Sequence, residues 1–260
     1  MNKELRIKQW PMRQRIRTAL LYVSFLLFPV TLYYFSPVLI IQSGMEGIIN
    51  GSLIAFALMF LSSLFVGRLW CGWACPGGAL QDFAAPINNR PTPGGKFNWV
   101  KWFIWTPWVV LIAILVIQAG GYQRIEPFYQ IEHGVTLLTS GADGNGAPWF
   151  IIYYVVVALF AGLAILFGRR AGCHTICWMA PFMILGRKLR NVWKWPSLRL
   201  IATPEQCVAC QTCGRDCPMS LDVPAMVQRG DMEDSECILC GKCVDSCTKH
   251  AIRYSFRSGK

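Results

Sequence analysis

The chain has 260 residues, of which 54% are hydrophobic and only 15% charged, with a mean hydropathy of +0.38. Disorder needs low hydrophobicity and an ordinary soluble domain carries about 25% charged residues, so the first is excluded and the second disfavoured. The net charge of +11, from 25 basic and 14 acidic residues, fits either nucleic-acid binding or the cytoplasmic flanks of membrane helices. Its distribution along the chain favours the second.

Four apolar stretches follow in order: about Ala19 to Ile41, Gly47 to Val66, Trp102 to Gln118 and Trp149 to Phe167. A helix needs about 20 apolar residues to cross a hydrocarbon core about 30 Å thick, so each is expected to span. Four buried helices of a soluble core are the alternative, disfavoured because uncharged runs of this length are the main membrane signal. Lys and Arg set the orientation. Lys3, Arg6, Lys8, Arg13, Arg15 and Arg17 precede the first stretch, and Arg68, Arg90, Lys96 and Lys101 lie between the second and third. The first connection has no Lys or Arg, and the third has only Arg124, beside Glu126, Glu132 and Asp143. Further bases, from Arg169 and Arg170 onward, follow the fourth. Both termini are therefore expected in the cytoplasm, with the chain in the inner membrane. The first stretch is too long, and lacks the small-residue cleavage site, for a signal peptide.

Composition shifts again near Pro196, and from Thr203 the chain is polar and rich in cysteine. The expected organisation is a basic N-terminus (1–18), a four-span membrane domain (19–177), a linker (178–202) and a soluble tail (203–260). The basic, Trp-containing stretch before Pro196 suits either a helix at headgroup level or a plain linker.

Twelve cysteines at short spacings indicate metal ligation rather than a disulfide framework. Two repeats organise them. Cys207-x2-Cys210-x2-Cys213-x3-Cys217 recurs as Cys237-x2-Cys240-x2-Cys243-x3-Cys247, displaced by 30 residues. Three close cysteines wrap one iron–sulfur cluster, and the fourth reaches its neighbour. This gives one 4Fe–4S cluster on Cys207, Cys210, Cys213 and Cys247 and another on Cys237, Cys240, Cys243 and Cys217. Pro218 follows the first run as the motif expects, and Thr248 follows the second. A pair of zinc sites has no use for the third cysteine of each run.

The second repeat lies at the membrane edge. Leu64-Phe65-x2-Arg68-x2-Cys71-x3-Cys75 recurs as Leu166-Phe167-x2-Arg170-x2-Cys173-x3-Cys177, displaced by 102 residues. Each copy closes a helical hairpin, so the membrane half reads as two parallel copies of one unit. If the halves pack symmetrically, Cys71, Cys75, Cys173 and Cys177 form a third metal site. Two dithiol switches, or structural thiols at helix ends, are the alternatives. Haem is disfavoured, because His133, His174 and His250 all fall outside the apolar stretches and Cys173-His174 is not the CxxCH order. Trp99, Trp102, Trp105 and Trp108 suit an interfacial aromatic belt better than a quinone-stacking wall.

The run Cys71-Gly-Trp-Ala-Cys75-Pro76-Gly-Gly-Ala79-Leu80-Gln81, the Cys173-His-Thr-Ile-Cys177 segment and the two tail runs together resemble the NapH/NosR-type membrane-bound ferredoxin family. Trp178 stands where that family has its second proline, as in a divergent branch. The resemblance implies an all-α membrane domain of four transmembrane helices followed by a small α+β two-cluster bacterial ferredoxin-like domain. It also implies electron transfer between the quinone pool and an iron–sulfur or other redox partner, as a subunit of a larger complex, with no nucleic acid involved. No residue constellation suggests hydrolysis or group transfer. A redox or oxygen sensor, or a maturation factor for a metalloenzyme, are the alternatives. All twelve cysteines are expected on the cytoplasmic side, leaving no relay of their own to the outer face.

Overall fold

The computed structural model describes residues 11–92, 96–130 and 149–259. Lys3, Arg6, Lys8, Glu132, His133 and Asp143, given roles above, lie outside the described residues.

The first apolar stretch is not one straight helix. Helix α1 (Met12–Leu26) gives way to α2 (Phe28–Thr31) and a 3₁₀ turn (Leu32–Phe35), bent by 65° from it. Helix α3 (Pro37–Met45) then restarts after Ser36, whose hydroxyl accepts from the Leu39 N–H. Pro29 and Pro37 explain the breaks: proline lacks an N–H and clashes with the preceding turn, so it is accommodated at the start of a new helix. Helix α4 (Gly51–Val66) begins at Asn50, whose Oδ1 accepts from the Leu53 N–H at 2.9 Å. Helix α7 (Val100–Gln118) passes through Pro107, and α8 (Trp149–Phe167) is equally long at 19 residues. Among the described residues one helical run, Phe97–Gln118, is long and apolar enough to cross a membrane. The segment Met12–Phe35 passes only as a bent pair, while Gly51–Val66 and Ile151–Phe167 are shorter apolar helices. The four expected spans are thus largely helical, but straight membrane-length helices are not shown for all four.

Strand β1 (Ile48–Asn50) pairs in parallel with β2 (Arg124–Glu126), fastening the exits of α3 and α7 side by side. The cysteines lie at the opposite end of α4. There α5 (Leu69–Trp73) and α6 (Pro76–Ala84) follow α4, while α9 (Ala171–Thr175) follows α8. The segment before Pro196 contains a helix, α10 (Ala180–Val192), packed along α4, with Gly186 facing Ser63 so closely that any Cβ would collide. Phe182 of α10 meets Phe56, Trp105 and Trp108, and Lys188 lies over the Trp102 ring. Arg187 and Arg190 turn inward to Glu233 instead of outward to headgroups. Trp102, Trp105 and Trp108 are therefore half-buried, with Trp105 and Trp108 against Phe182 of α10, whereas Trp99 is exposed.

In the tail, β3 (Ser197–Ala202) pairs antiparallel with β4 (Ile252–Arg257), from Ser197↔Arg257 to Ala202↔Ile252. This sheet draws residues ahead of the first cysteine run into the same unit. Short helices α11 (Thr212–Arg215), α12 (Val223–Gln228) and α13 (Lys242–Asp245) complete the unit, and the Asp222 side chain caps α12.

Candidate iron–sulfur sites

The two tail runs fold alike because the same backbone positions take left-handed conformations. Ala209, Gln211 and Ser220 in the first run have positive φ, as do Leu239, Gly241 and His250, each 30 residues on. Left-handed φ costs a non-glycine residue about 1–2 kcal/mol. Five of these six positions bear that cost, and the resulting turns place successive cysteines around one cavity. Two cavities result. One is lined by Cys207, Cys210, Cys213 and Cys247, the other by Cys217, Cys237, Cys240 and Cys243. The fourth cysteine of each run thus sits in the cavity of the other.

The cavities differ in surroundings. Cys210 is exposed, flanked by exposed Val208, Ala209 and Gln211. The second cavity is closed by Leu200, Met219, Met226, Met232 and Ile238. Burial, then the neighbouring Cys240, pushes the Cys217 thiol up to about 12, and burial drives Cys243 well above its ordinary value. Such groups become thiolates only beside positive charge, which iron supplies. All twelve cysteines are free of disulfides. Among the described residues no three His, Cys, Asp or Glu side chains converge tightly enough to hold a single metal ion. The donors instead ring cavities, an arrangement that fits the four corners of a cubane.

The wall of the second cavity is clamped to the membrane-edge loops. Trp73 Nε1 donates to the Leu239 carbonyl at 3.1 Å, Gln14 Nε2 to that of Cys240 at 3.0 Å, and Arg187 Nη1 to that of Cys237 at 3.0 Å. Gly72, inside the first CxxxC, lies against the Ile238 carbonyl, where a Cβ would collide. Glu236 meets Arg68 Nη1 at 2.8 Å and Lys101 Nζ at 2.5 Å, and all three side chains are almost wholly buried. Burial alone would raise the Glu236 carboxyl, but Arg68 and Lys101 overcome it and bring it down to about 2.

At the membrane edge Cys71, Cys75, Cys173 and Cys177 are all buried in one core. They act on one another: burial pushes the Cys75 thiol up, and Cys71, Cys173 and Cys177 push it further. The repeat governs the details. The Gly78 amide opposes the rise at Cys75, and the Ala180 amide, 102 residues on, does so at Cys177. Arg68 and Arg170, also 102 apart, are fully buried beside the thiols. Arg170 donates to the Cys71 carbonyl at 2.8 Å and pairs with Asp82, which also binds Arg17. Asp82 lies well below the carboxylate range, because the two guanidiniums outweigh its burial. Arg68 Nε and Nη2 have no hydrogen-bond partner among the described residues. Four free thiols, buried positive charge on both sides and unspent guanidinium donors fit a negatively charged four-thiolate cluster. His174, inside the second CxxxC, bonds Asn98 through Nδ1 at 2.7 Å, and burial lowers it to about 4, so it is neutral.

An apolar cavity adjoins this site. It is lined by Phe28, Leu32, Phe35, Val156 and Phe160 together with Pro76 and Gly77, which follow Cys75, and Trp178 and Met179, which follow Cys177. Sequence reasoning did not find Asp82, Glu236 or Met183 as parts of the site, and gave Arg68, Arg170 and Gln81 no contact with its thiols. The arginine three residues before the first cysteine of both CxxxC copies was the available signal. The acids carry none, because their partners are distant in the chain.

A family model described as a 4Fe-4S binding domain matches residues 51–92, and one described as a 4Fe-4S dicluster domain matches residues 206–252. An uncharacterized protein of Methanocaldococcus jannaschii is 25% identical, over 93% of this chain and 86% of its own length. The putative electron transport protein YccM of Escherichia coli is 27% identical, over 75% of this chain and 52% of its own. The regulatory protein NosR of Pseudomonas aeruginosa is 27% identical, over 70% of this chain but 24% of its own. The chain thus spans about half of YccM and a quarter of NosR. No solved structure matches.

Proposed function

This chain belongs to the NosR/NapH-type family of iron–sulfur electron-transport proteins, with relatives named NosR, NirI, RdxA, FixG and YccM, and on that premise we propose that it carries electrons between a soluble-side partner and quinone. Cys207, Cys210, Cys213 and Cys247 hold one 4Fe–4S cluster, Cys237, Cys240, Cys243 and Cys217 a second, and Cys71, Cys75, Cys173 and Cys177 a third. When bound, these groups supply one-electron transfer at three adjoining places. The residues around them give a direction in space. The first set opens to solvent at Cys210, where a partner protein can approach. The second set is buried against the membrane-edge loops by Glu236, Trp73 and Gly72. The third set borders the apolar cavity, whose aromatic lining excludes water and suits a quinone ring.

We place the chain in the inner membrane with both termini cytoplasmic and four spans, the first bent at Pro29. The pairing of β1 with β2 supports this, because it holds Ile48–Asn50 of the first connection beside Arg124–Glu126 of the third. The observation that carries the proposal is the succession of a thiol set open to solvent at Cys210, a more buried thiol set, the membrane-edge thiol set and the apolar cavity. Full-length protein reduced anaerobically should be reoxidised by a short-chain quinone, and Phe160→Trp, which fills the cavity, should slow this while leaving oxidation by a soluble dye unchanged. Equal loss of both would count against the cavity as the quinone site.

A further inference from the structure

The two halves of the membrane-edge site share their arginine and both cysteines at 102-residue spacing, and the residue that faces the first cysteine of the opposite half differs between them. Gln81 is fully buried on α6. Its Oε1 accepts from the Gly172 N–H at 2.8 Å, which fixes the amide orientation, and its Nε2 donates to Gly77 O at 3.0 Å and to Cys173 Sγ at 3.1 Å. The residue 102 positions on is Met183, equally buried, and its Sδ lies 3.9 Å from Cys71 Sγ. Cys71 and Cys173 are themselves equivalent in the repeat. Each first cysteine therefore faces the same place of the opposite half. One meets an amide N–H and the other a thioether with no hydrogen to give.

We propose that Gln81 and Met183 form a second-sphere pair that sets the reduction potential of the membrane-edge site and makes it electronically lopsided, with negative charge favoured on the Cys173 side. The inference rests on the reading of these four cysteines as cluster ligands. An N–H donated to a ligand sulfur stabilises the more negative, reduced form, so it raises the potential. One electron is gained by the site and lost by the reductant, and no bond is made or broken. Gln81 positions and tunes through Cys173; it does not touch the substrate.

The test is an EPR-monitored redox titration of full-length protein, with iron counted on every sample. Gln81→Met should lower the potential of the membrane-edge signal and Met183→Gln should raise it. Each shift should be about tenfold in the reduction equilibrium, about 59 mV for a one-electron couple. The double exchange, which moves the donor to the other half, should return the potential close to wild type. Electron–nuclear spectroscopy after exchange into D₂O should show a deuteron coupling that Gln81→Met loses. Unchanged potentials with iron intact, or shifts of the same sign in both single variants, would overturn the proposal. Loss of iron in Gln81→Met without recovery in the double exchange would make Gln81 a structural support and overturn it too. Wild-type protein with only about eight iron atoms would instead remove the third-cluster reading on which the proposal stands.

Discussion

The tail and the membrane edge both bring cysteines together by repetition, but in opposite ways. In the tail each run winds three thiols around one cavity within seven residues and lends its fourth to the other, and the turns that aim them recur 30 residues later. At the membrane edge neither CxxxC pair can enclose anything alone. The four thiols share one buried core because the segments that follow α4 and α8, 102 residues apart in the chain, pack together and buried charges seal the junction. A locally wound site survives changes elsewhere in the chain; an assembled site depends on every contact that docks its parts. That difference predicts where substitutions will be felt.

The largest effect should come from the exchanged cysteines. Cys247→Ser should abolish the solvent-side tail cluster and spare the buried one, and Cys217→Ser should do the reverse, as read by EPR and iron content. Loss of the other cluster in either variant would show that the runs do not exchange ligands. The next effect should come from Glu236→Ala, which strands Arg68 and Lys101 in a buried place. Breaking one partner of a buried pair costs about 3–5 kcal/mol. Thermal unfolding and limited proteolysis should show the tail released from the membrane half while its own two clusters persist. Gly72→Ala should act in the same direction but less, by about 1–3 kcal/mol, because its methyl meets the Ile238 carbonyl. A variant as stable as wild type would show that the two loops can part without cost.

The smallest effect concerns pH. Burial would raise the Glu233 carboxyl, but Arg187, Arg190 and Arg199 outweigh it and hold the group below its ordinary 4.5. A carboxyl lowered in the folded state contributes stability that is complete above 4.5 and fades as pH falls below it. Glu233→Gln should remove that part of the slope in a thermal-stability profile, with little change near neutrality in the slope itself.

The same contrast explains what the sequence made legible. The tail cysteines and their exchanged grouping could be read from spacing, because a local loop carries its geometry in a dozen residues. The CxxxC repeat was visible too, and Arg68 and Arg170 stood in it at matched positions. What they bind was not visible, since Asp82 and Glu236 are ordinary acids until the fold places them. Position 81 carried an informative residue in one half, but its counterpart Met183 looks like any core methionine. The first apolar stretch read as one span because hydropathy counts residues, whereas Pro29 and Pro37 break the helix without lowering the count. The basic stretch after Trp178 read as surface because its charges are dense, yet Arg187 and Arg190 find Glu233 and turn inward.

The central claim is that the membrane-edge thiols hold a third cluster between the tail and the apolar cavity. Iron and acid-labile sulfide should be counted on anaerobically purified full-length protein and on its Cys75→Ser/Cys177→Ser variant, with EPR of both after reduction. The account predicts about twelve iron atoms in the first and about eight in the second, with one signal lost and the two tail signals retained. About eight in both, with identical spectra, would contradict it.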